Sequence, residues 1–199
     1  MGNVVGLTGG IGSGKSTVSQ YLHSQYQIPV TDADHWARQV VLPGQPAFAA
    51  IVARFAQAQQ ADGQLDRAWL RQHVLPNPEL KAWLEQVTHP FIREQILAQL
   101  ALPITQPYQI LDAALLIETG LDQYCAWVVV VDAEPEQQLR RVSARDASAD
   151  VVIQQIMAQQ CPRAERLQRA DWVLDNTGSK AELFAAADQL HQHLIQLYE

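Results

Sequence analysis

The sequence predicts an α/β fold with a doubly wound sheet of about five parallel strands. One observation is a set of short apolar runs, several of them continuous rather than alternating, as in strands covered on both faces. A second is the helical pattern that separates these runs, because strand–helix alternation is typical of parallel sheets. The predicted strands are Val4–Leu7, Pro29–Thr31, Tyr108–Asp112, Trp127–Asp132 and Trp172–Leu174.

The helical patterns predict how the chain is organised around this sheet. One pattern runs from Lys15 to about Gln25, and several lie between Asp34 and Leu102. Two more run from Pro135 to Asp146 and from Ala181 to Leu197. The second of these stretches is too long for one crossover helix, so it predicts an inserted helical subdomain, with a turn at Asp62-Gly63 and a break at Pro76-Asn77-Pro78. We therefore expect one domain with its core at about 1–33, 103–135 and 170–199, a helical subdomain at about 34–102, and a helical lid segment at about 136–169.

Composition narrows the classes of function. A chain of 199 residues with 48% hydrophobic residues can bury its own core. Its net charge of −7 argues against duplex nucleic acid or an anionic membrane as the main partner, because both favour a basic surface. We find no signal peptide and no membrane-spanning stretch, and we interpret Cys125 and Cys161 as reduced thiols. The expectation is a cytoplasmic protein, monomeric or weakly homo-oligomeric, without nucleic acid or membrane partners.

A glycine-rich segment follows the first predicted strand. Residues 9–16 read Gly-Gly-Ile-Gly-Ser-Gly-Lys-Ser and fit the phosphate-binding pattern G-x-x-x-x-G-K-[ST] in full. Glycines let backbone N–H groups approach phosphates, and the following helix directs its positive dipole end to the same point. The fold is therefore predicted to be of the P-loop NTPase type. The residues expected to contact the nucleotide are Gly10, Ile11, Gly12, Ser13, Gly14, Lys15, Ser16 and Thr17.

The side chains at the end of this loop predict phosphoryl transfer from ATP. Lys15 is expected to reach the β- and γ-phosphates as a catalytic point charge, and the hydroxyl of Ser16 to ligate Mg²⁺. The guanine-reading pattern Asn-Lys-x-Asp of GTPases does not occur in the sequence. A compact small-molecule kinase fits better than a motor or transporter, which usually needs further domains.

Six of the eleven arginines fall within the lid segment: Arg140, Arg141, Arg145, Arg163, Arg166 and Arg169. Arg141 and Arg145 are four residues apart and share one helix face. In an acidic chain this clustering favours a lid that closes on phosphates, because the arginine fork suits the charge of a transferring phosphoryl group. The alternative is a solvated helix pair held by salt bridges with neighbouring acids.

Carboxylates follow two of the predicted strands. Asp32 and Asp34 come directly after the second strand, at the sheet edge where ligands bind in open α/β folds. A carboxylate there can accept the proton of an attacking hydroxyl, although either residue could instead cap the next helix. Asp112 ends the third strand and could hold Mg²⁺ through water or fill a turn or cap.

Several segments, in order, are similar to one enzyme family along nearly the whole chain. They are Val5–Ser16, Asp32-Ala33-Asp34 with Ala37-Arg38, Asp62-Gly63 through Leu70 to Thr88-His89-Pro90-Phe91-Ile92-Arg93, Arg141-x-x-x-Arg145-Asp146, and Ala170-Asp171 through Asp175-Asn176-x-Gly178. In this order and spacing the chain resembles the dephospho-coenzyme A kinases. The resemblance implies that ATP phosphorylates the ribose 3′-hydroxyl of dephospho-CoA, which is the last step of coenzyme A biosynthesis.

The same resemblance implies roles for individual residues. Asp34 would be the catalytic base with Asp32 beside it, and Arg141 and Arg145 would close over the phosphates. Asn176 would lie near the adenine. The acceptor would meet His89, Arg93 and Glu118, together with both aspartates.

Two features depart from this pattern or stay unexplained by it. Where the family usually has Pro-Leu-Leu-φ-Glu (φ apolar), residues 114–118 read Ala-Leu-Leu-Ile-Glu, which removes a fixed φ angle and keeps Glu118. The lid segment is also rich in glutamine, at positions 154, 155, 159 and 160, without a clear reason. Two other functions stay open: another small-molecule kinase such as a nucleoside or nucleoside-monophosphate kinase, and a nucleotide-binding regulator that hydrolyses ATP slowly or not at all.

Overall fold

The computed structural model describes residues 3–146 and 150–198. Within these residues, five strands form one parallel sheet in the order β2-β3-β1-β4-β5. The strands are β1 Val4–Thr8, β2 Val30–Asp32, β3 Gln109–Asp112, β4 Trp127–Asp132 and β5 Trp172–Asp175. The predicted parallel α/β fold is therefore confirmed, and the strand bounds differ from the prediction by a residue at most at either end.

The helices occupy the stretches between these strands. They are α1 Lys15–Tyr26, α2 Ala33–Gln39, α3 Pro46–Arg54, α4 Arg67–His73, α5 Pro78–Leu100, α6 Pro135–Asp146, α7 Asp150–Gln159, α8 Arg163–Gln168 and α9 Lys180–Tyr198. The connection from β3 to β4 carries a short 3₁₀ turn, Leu121–Tyr124, in place of an α-helix. No helix in the described part of the chain is long and apolar enough to cross a membrane.

The chain divides into two compact units. Unit 1 comprises Met1–Asp32 and Leu100–Glu199, and unit 2 comprises Ala33–Gln99. Unit 1 has its own core, in which strand residues such as Leu7 and Val131 pack with Val18 of α1 and Leu190 of α9, all fully buried. The aspartates of β2, β3, β4 and β5 are the last residues of these strands.

Polar contacts also hold α1 to α9 in unit 1. The hydroxyls of Tyr21 and Tyr26 both donate to Oδ1 of Asp188, over 2.6 and 2.8 Å. The ring of Tyr26 stacks on that of His191, with centroids 3.7 Å apart. The hydrogen bond to Asp188 raises the pKa of Tyr21 to about 12. The second half of the helix that begins at the glycine-rich loop is thus held against α9.

Unit 2 is a small helical body with a separate core. Buried residues of α3 and α4, among them Phe48, Ile51 and Leu70, pack against partly buried residues of α5. Gly63 adopts φ 84° in the predicted turn before α4, and α5 begins at Pro78, at the predicted break. Pro90 lies inside α5 and does not end it, although it cannot donate a backbone hydrogen bond.

Candidate active site

The glycine-rich loop connects β1 to α1 through a tight turn. The N–H of Ser13 donates to the carbonyl of Gly10 over 3.0 Å, and α1 begins at Lys15 with Gly14 at its N-cap. Gly12 and Gly14 have φ values of 73° and 99°, a region that favours glycine. A Cβ on Gly12 would come within 2.8 Å of the carbonyl oxygen of Gln138, so the loop leaves no room for a side chain there. The start of α1 therefore presents its first N–H groups in the arrangement that suits a phosphate.

Lys15 is paired with an acid at the same edge of the sheet. Its ammonium group forms an ion pair with Oδ1 of Asp112, whose side chain is only 6% exposed. Asp112 ends β3 and is in register with Asp32 at the end of β2. The strand ends thus bring Lys15, Asp112 and Asp32 to one edge of the sheet, and Asp112 has a partner that the sequence did not indicate.

Asn176 lies next to the glycine-rich loop. Its side-chain amide nitrogen donates to the backbone carbonyl of Ser13 over 2.6 Å, and its backbone carbonyl accepts from Nη2 of Arg141 over 2.8 Å. Nη1 of Arg141 is buried and has no partner among the described protein groups. A cavity of about 280 Å³ is lined by Gly14, Thr17, Arg141, Asn176, Gly178, Lys180 and Leu183. This pocket suits a flat, polar ring, and sequence reasoning missed Lys180, which follows the Asn-x-Gly pattern by two residues.

Glu118 is engaged within the protein. Its Oε1 accepts the backbone N–H of Cys161 over 2.6 Å, at the end of α7. Burial raises the pKa of the Cys161 thiol, in keeping with an unreactive reduced cysteine. In the segment before Glu118, where alanine replaces the usual proline, the carbonyl of Ala114 accepts from the hydroxyl of Thr8 over 3.4 Å.

The arginines of the lid segment make different contacts. Arg163 forms a bidentate pair with Asp132 at the end of β4 and also contacts Glu134, and these carboxylates raise its pKa. Arg169 pairs with Asp122, and Arg166 is buried and donates to the carbonyl of Cys161. For Arg163 and Arg169 the salt-bridge alternative thus describes the observed contacts. The side chain of Arg145 lies outside the described residues.

Unit 2 carries the other predicted site residues. Asp34 is exposed in the first turn of α2, directly after Asp32 and Ala33. His89 and Arg93 lie on one face of α5 and line an open groove of about 760 Å³ together with Ala82, Glu85, Gln86, Pro90, Glu94 and Leu97. Within the described residues of unit 2, His89 and Arg93 make no hydrogen bond or ion pair with a side chain. The groove therefore presents a cation and an imidazole that a ligand could contact.

The parallel sheet, the phosphate-binding loop with its lysine, and the pocket beside the loop define a P-loop kinase of small molecules. A family model described as dephospho-CoA kinase matches residues 3–182. The chain therefore belongs to the dephospho-CoA kinase family.

Relatives and solved structures agree with this assignment. The chain is 41% identical to the dephospho-CoA kinase of Vibrio parahaemolyticus, over 99% of this chain and 97% of the relative. It is 46% identical to that of Idiomarina loihiensis, over 96% and 95%. A solved structure of dephospho-CoA kinase from Campylobacter jejuni has a TM-score of 0.75 at 25% identity, with 100% of both chains covered. A shikimate kinase from Bacteroides thetaiotaomicron, with a TM-score of 0.54 at 14% identity and 97% and 98% coverage, shares the fold alone.

Proposed function

We propose that this chain transfers the γ-phosphate of ATP to the ribose 3′-hydroxyl of dephospho-CoA, giving coenzyme A and ADP. The observation that carries the proposal is the complete phosphate-binding loop, with Lys15 held at the sheet edge, in a member of this family. The reaction is a direct in-line transfer without a covalent enzyme intermediate, so positioning and charge neutralisation supply most of the rate.

The phosphate end of the reaction uses the loop and Lys15. Residues Gly10 to Thr17 surround the phosphates, whose oxygens accept from the amides of Lys15 and Ser16 at the start of α1, and the side chain of Lys15 turns from Asp112 towards the β- and γ-phosphates, where charge develops in the transition state. Asp112 holds the lysine at the sheet edge until the nucleotide is bound. Ser16 is exposed in the first turn of α1, a position that fits a hydroxyl ligand of Mg²⁺. When bound, Mg²⁺ neutralises the charge of the phosphate oxygens.

The adenine of ATP fits the pocket beside the loop. Arg141, Asn176 and Lys180 line it and offer polar side chains to the ring. Arg141 contacts the nucleotide from this pocket, and Arg145 of the same helix is the second arginine expected at the phosphates.

For the acceptor, we assign roles to Asp32 and Asp34 and to the groove of α5. Asp34 takes the proton of the attacking 3′-hydroxyl as the general base, and Asp32 orients this hydroxyl. His89 and Arg93 bind the acceptor through the groove of α5, because a guanidinium suits the pyrophosphate of dephospho-CoA. Glu118 contacts the acceptor through Oε2, since its Oε1 accepts the backbone N–H of Cys161.

The test is to measure ADP release from Mg-ATP by the purified protein with and without dephospho-CoA, and to identify the product by mass. We expect acceptor-dependent ADP release matched by a product heavier by one phosphate. ATP binding without that product would overturn the acceptor assignment, and a panel of shikimate, nucleosides and nucleoside monophosphates would then identify another kinase activity. No product with any acceptor would favour a nucleotide-binding regulator.

A further inference from the structure

A glutamine of the lid segment contacts the phosphate-binding loop directly. Oε1 of Gln160 accepts the backbone N–H of Ile11 over 2.9 Å, across 149 residues of sequence. Gln160 directly follows α7, and its own N–H donates to the carbonyl of Met157. Of the glutamines that the sequence left unexplained, this one therefore has an identified partner.

The hydrogen bond between Ile11 and Gln160 leaves the N–H groups at the end of the loop available to phosphate. The N–H of Ile11 is taken by Gln160, and the N–H of Ser13 is taken by the carbonyl of Gly10. The N–H groups of Lys15 and Ser16, at the start of α1, have no preceding turn of helix to supply acceptors, whereas that of Thr17 already donates to the carbonyl of Gly14. The loop is thus held by protein groups at its first half and open to phosphate at its second half.

The residue after Gln160 is fixed as well. The N–H of Cys161 donates to Glu118, and its carbonyl accepts from Nη1 of the buried Arg166 over 3.1 Å. The junction between α7 and α8 is therefore bound on one side to the segment after β3 and on the other to α8. A side chain that extends from this junction to Ile11 connects a fixed point of the lid segment to the loop.

We propose that Gln160 is a positioning residue that couples the shape of the phosphate-binding loop to the placement of the lid segment. The bond holds the first half of the loop in the conformation that accepts the phosphates, and it places α7 and α8 relative to them. Without it, ATP binds less tightly and water reaches the γ-phosphate more often. The effect on turnover rests on the proposed function, whereas the effects on the loop and on ATP binding do not.

The competing role for the same bond is inhibition, in which Gln160 occupies an amide that the phosphates need. The two roles predict opposite changes in ATP affinity when the hydrogen bond is removed. Loss of a supporting bond weakens ATP binding, and loss of an inhibitory bond tightens it. A net hydrogen bond contributes about 1 kcal/mol, which corresponds to a change of about fivefold in an equilibrium constant.

The experiment compares Gln160→Met, which removes the acceptor at similar length, with Gln154→Met as the matched control, since Gln154 is an exposed glutamine of α7. Amide hydrogen exchange of Ile11, measured by NMR, reports the bond itself. ATP titration reports the dissociation constant, and ADP release without acceptor reports hydrolysis by water. Gln160→Asn, one methylene shorter, serves as a second variant, and Gln160→Glu keeps an acceptor oxygen.

We expect faster exchange of Ile11 in Gln160→Met and Gln160→Asn, an ATP dissociation constant raised about fivefold, and more hydrolysis without acceptor. Gln154→Met should match the wild type, and Gln160→Glu should keep the protection of Ile11. Unchanged exchange of Ile11, or tighter ATP binding, would overturn the proposal. A protein that binds ATP and shows these shifts but makes no coenzyme A would refute the proposed function and leave the coupling intact.

Discussion

The phosphate-binding loop of unit 1 and the α5 groove of unit 2 differ in how their polar groups are satisfied. Around the loop, Lys15 is paired with Asp112, the Ile11 amide is bound by Gln160, and the Ser13 carbonyl is bound by Asn176. In the groove, His89 and Arg93 have no side-chain partner within the described part of unit 2. Protein groups hold the loop in shape, whereas the imidazole of His89 and the guanidinium of Arg93 stay available to a ligand in a groove that Glu85 and Glu94 also line.

This difference has a physical consequence for catalysis. Preorganised donors cost no rearrangement when charge develops on the γ-phosphate, so the loop is suited to the transition state. An unpaired arginine gains most when a phosphate of the acceptor arrives, so the groove is suited to binding. Substitutions at the loop should therefore change turnover, and those in the groove should change the Michaelis constant of the acceptor.

The largest effect that separates the two regions is expected for Lys15→Ala. Turnover should fall by about 100-fold or more, because the charge that meets the γ-phosphate is lost. The measurement is ADP release with saturating acceptor, with Lys81→Ala as the control, since Lys81 makes only an exposed pair with Glu85. A Lys15→Ala enzyme that kept a tenth of the wild-type rate would show that the loop works without its lysine.

Asp34→Asn tests the chemistry at the acceptor. Turnover should fall by about 100-fold because the neutral side-chain amide of asparagine cannot take the proton of the hydroxyl. ATP affinity should change little. Steady-state rates and ATP titration measure the two quantities separately, and Asp62→Asn, in the turn where Asp62 accepts from the Gln64 amide, is the control. Wild-type rates in Asp34→Asn would remove Asp34 from the role of base.

Arg93→Ala sharpens the comparison from the side of the groove. The Michaelis constant for dephospho-CoA should rise about tenfold, the value of one charge-assisted hydrogen bond, with that for ATP unchanged. Arg71→Ala, an exposed arginine of α4, is the matched control. A change confined to the ATP constant would place Arg93 in the nucleotide site instead.

The smallest effect is expected on stability rather than on rate. It appears when alanine replaces either of two arginines of the lid segment, Arg163 and Arg169. Arg163→Ala should lower the free energy of unfolding by about 1–2 kcal/mol, since it leaves the carboxylate of Asp132, only 10% exposed, without its bidentate partner. Arg169→Ala should cost less than about 1 kcal/mol, because its pairs with Asp122 and Glu165 are more exposed. Urea unfolding of both variants gives the difference. Equal losses would mean that burial of Asp132 does not set the strength of the Arg163 contact.

The sequence was sufficient for the elements and for the loop. Strands covered on both faces leave continuous apolar runs, and a phosphate-binding loop requires a fixed pattern, so both can be recognised locally. Pro90 shows where local rules fail, because α5 continues through a residue that usually ends a helix and packs with α3 and α4 nonetheless.

Contacts across long stretches of chain were not predictable. The pairs Lys15–Asp112 and Ile11–Gln160 depend on the order of strands in the sheet and on the path of the lid segment, which no spacing in the sequence encodes. For the same reason the sequence could not distinguish the arginines of the lid segment. Arg163 forms a salt bridge with Asp132, whereas one nitrogen of Arg141 stays without a partner among the described groups. The roles of His89, Arg93 and Asp34 stay predictions.

The hydrogen bonds from Tyr21 and Tyr26 to Asp188 have a consequence for how the protein is made. They join α1, which follows the phosphate-binding loop, to α9, which the ribosome delivers more than a hundred residues later. Contacts of such high sequence separation form late in folding. During synthesis α1 must therefore emerge with the side that faces α9 uncovered, and this side stays exposed until α9 has been made.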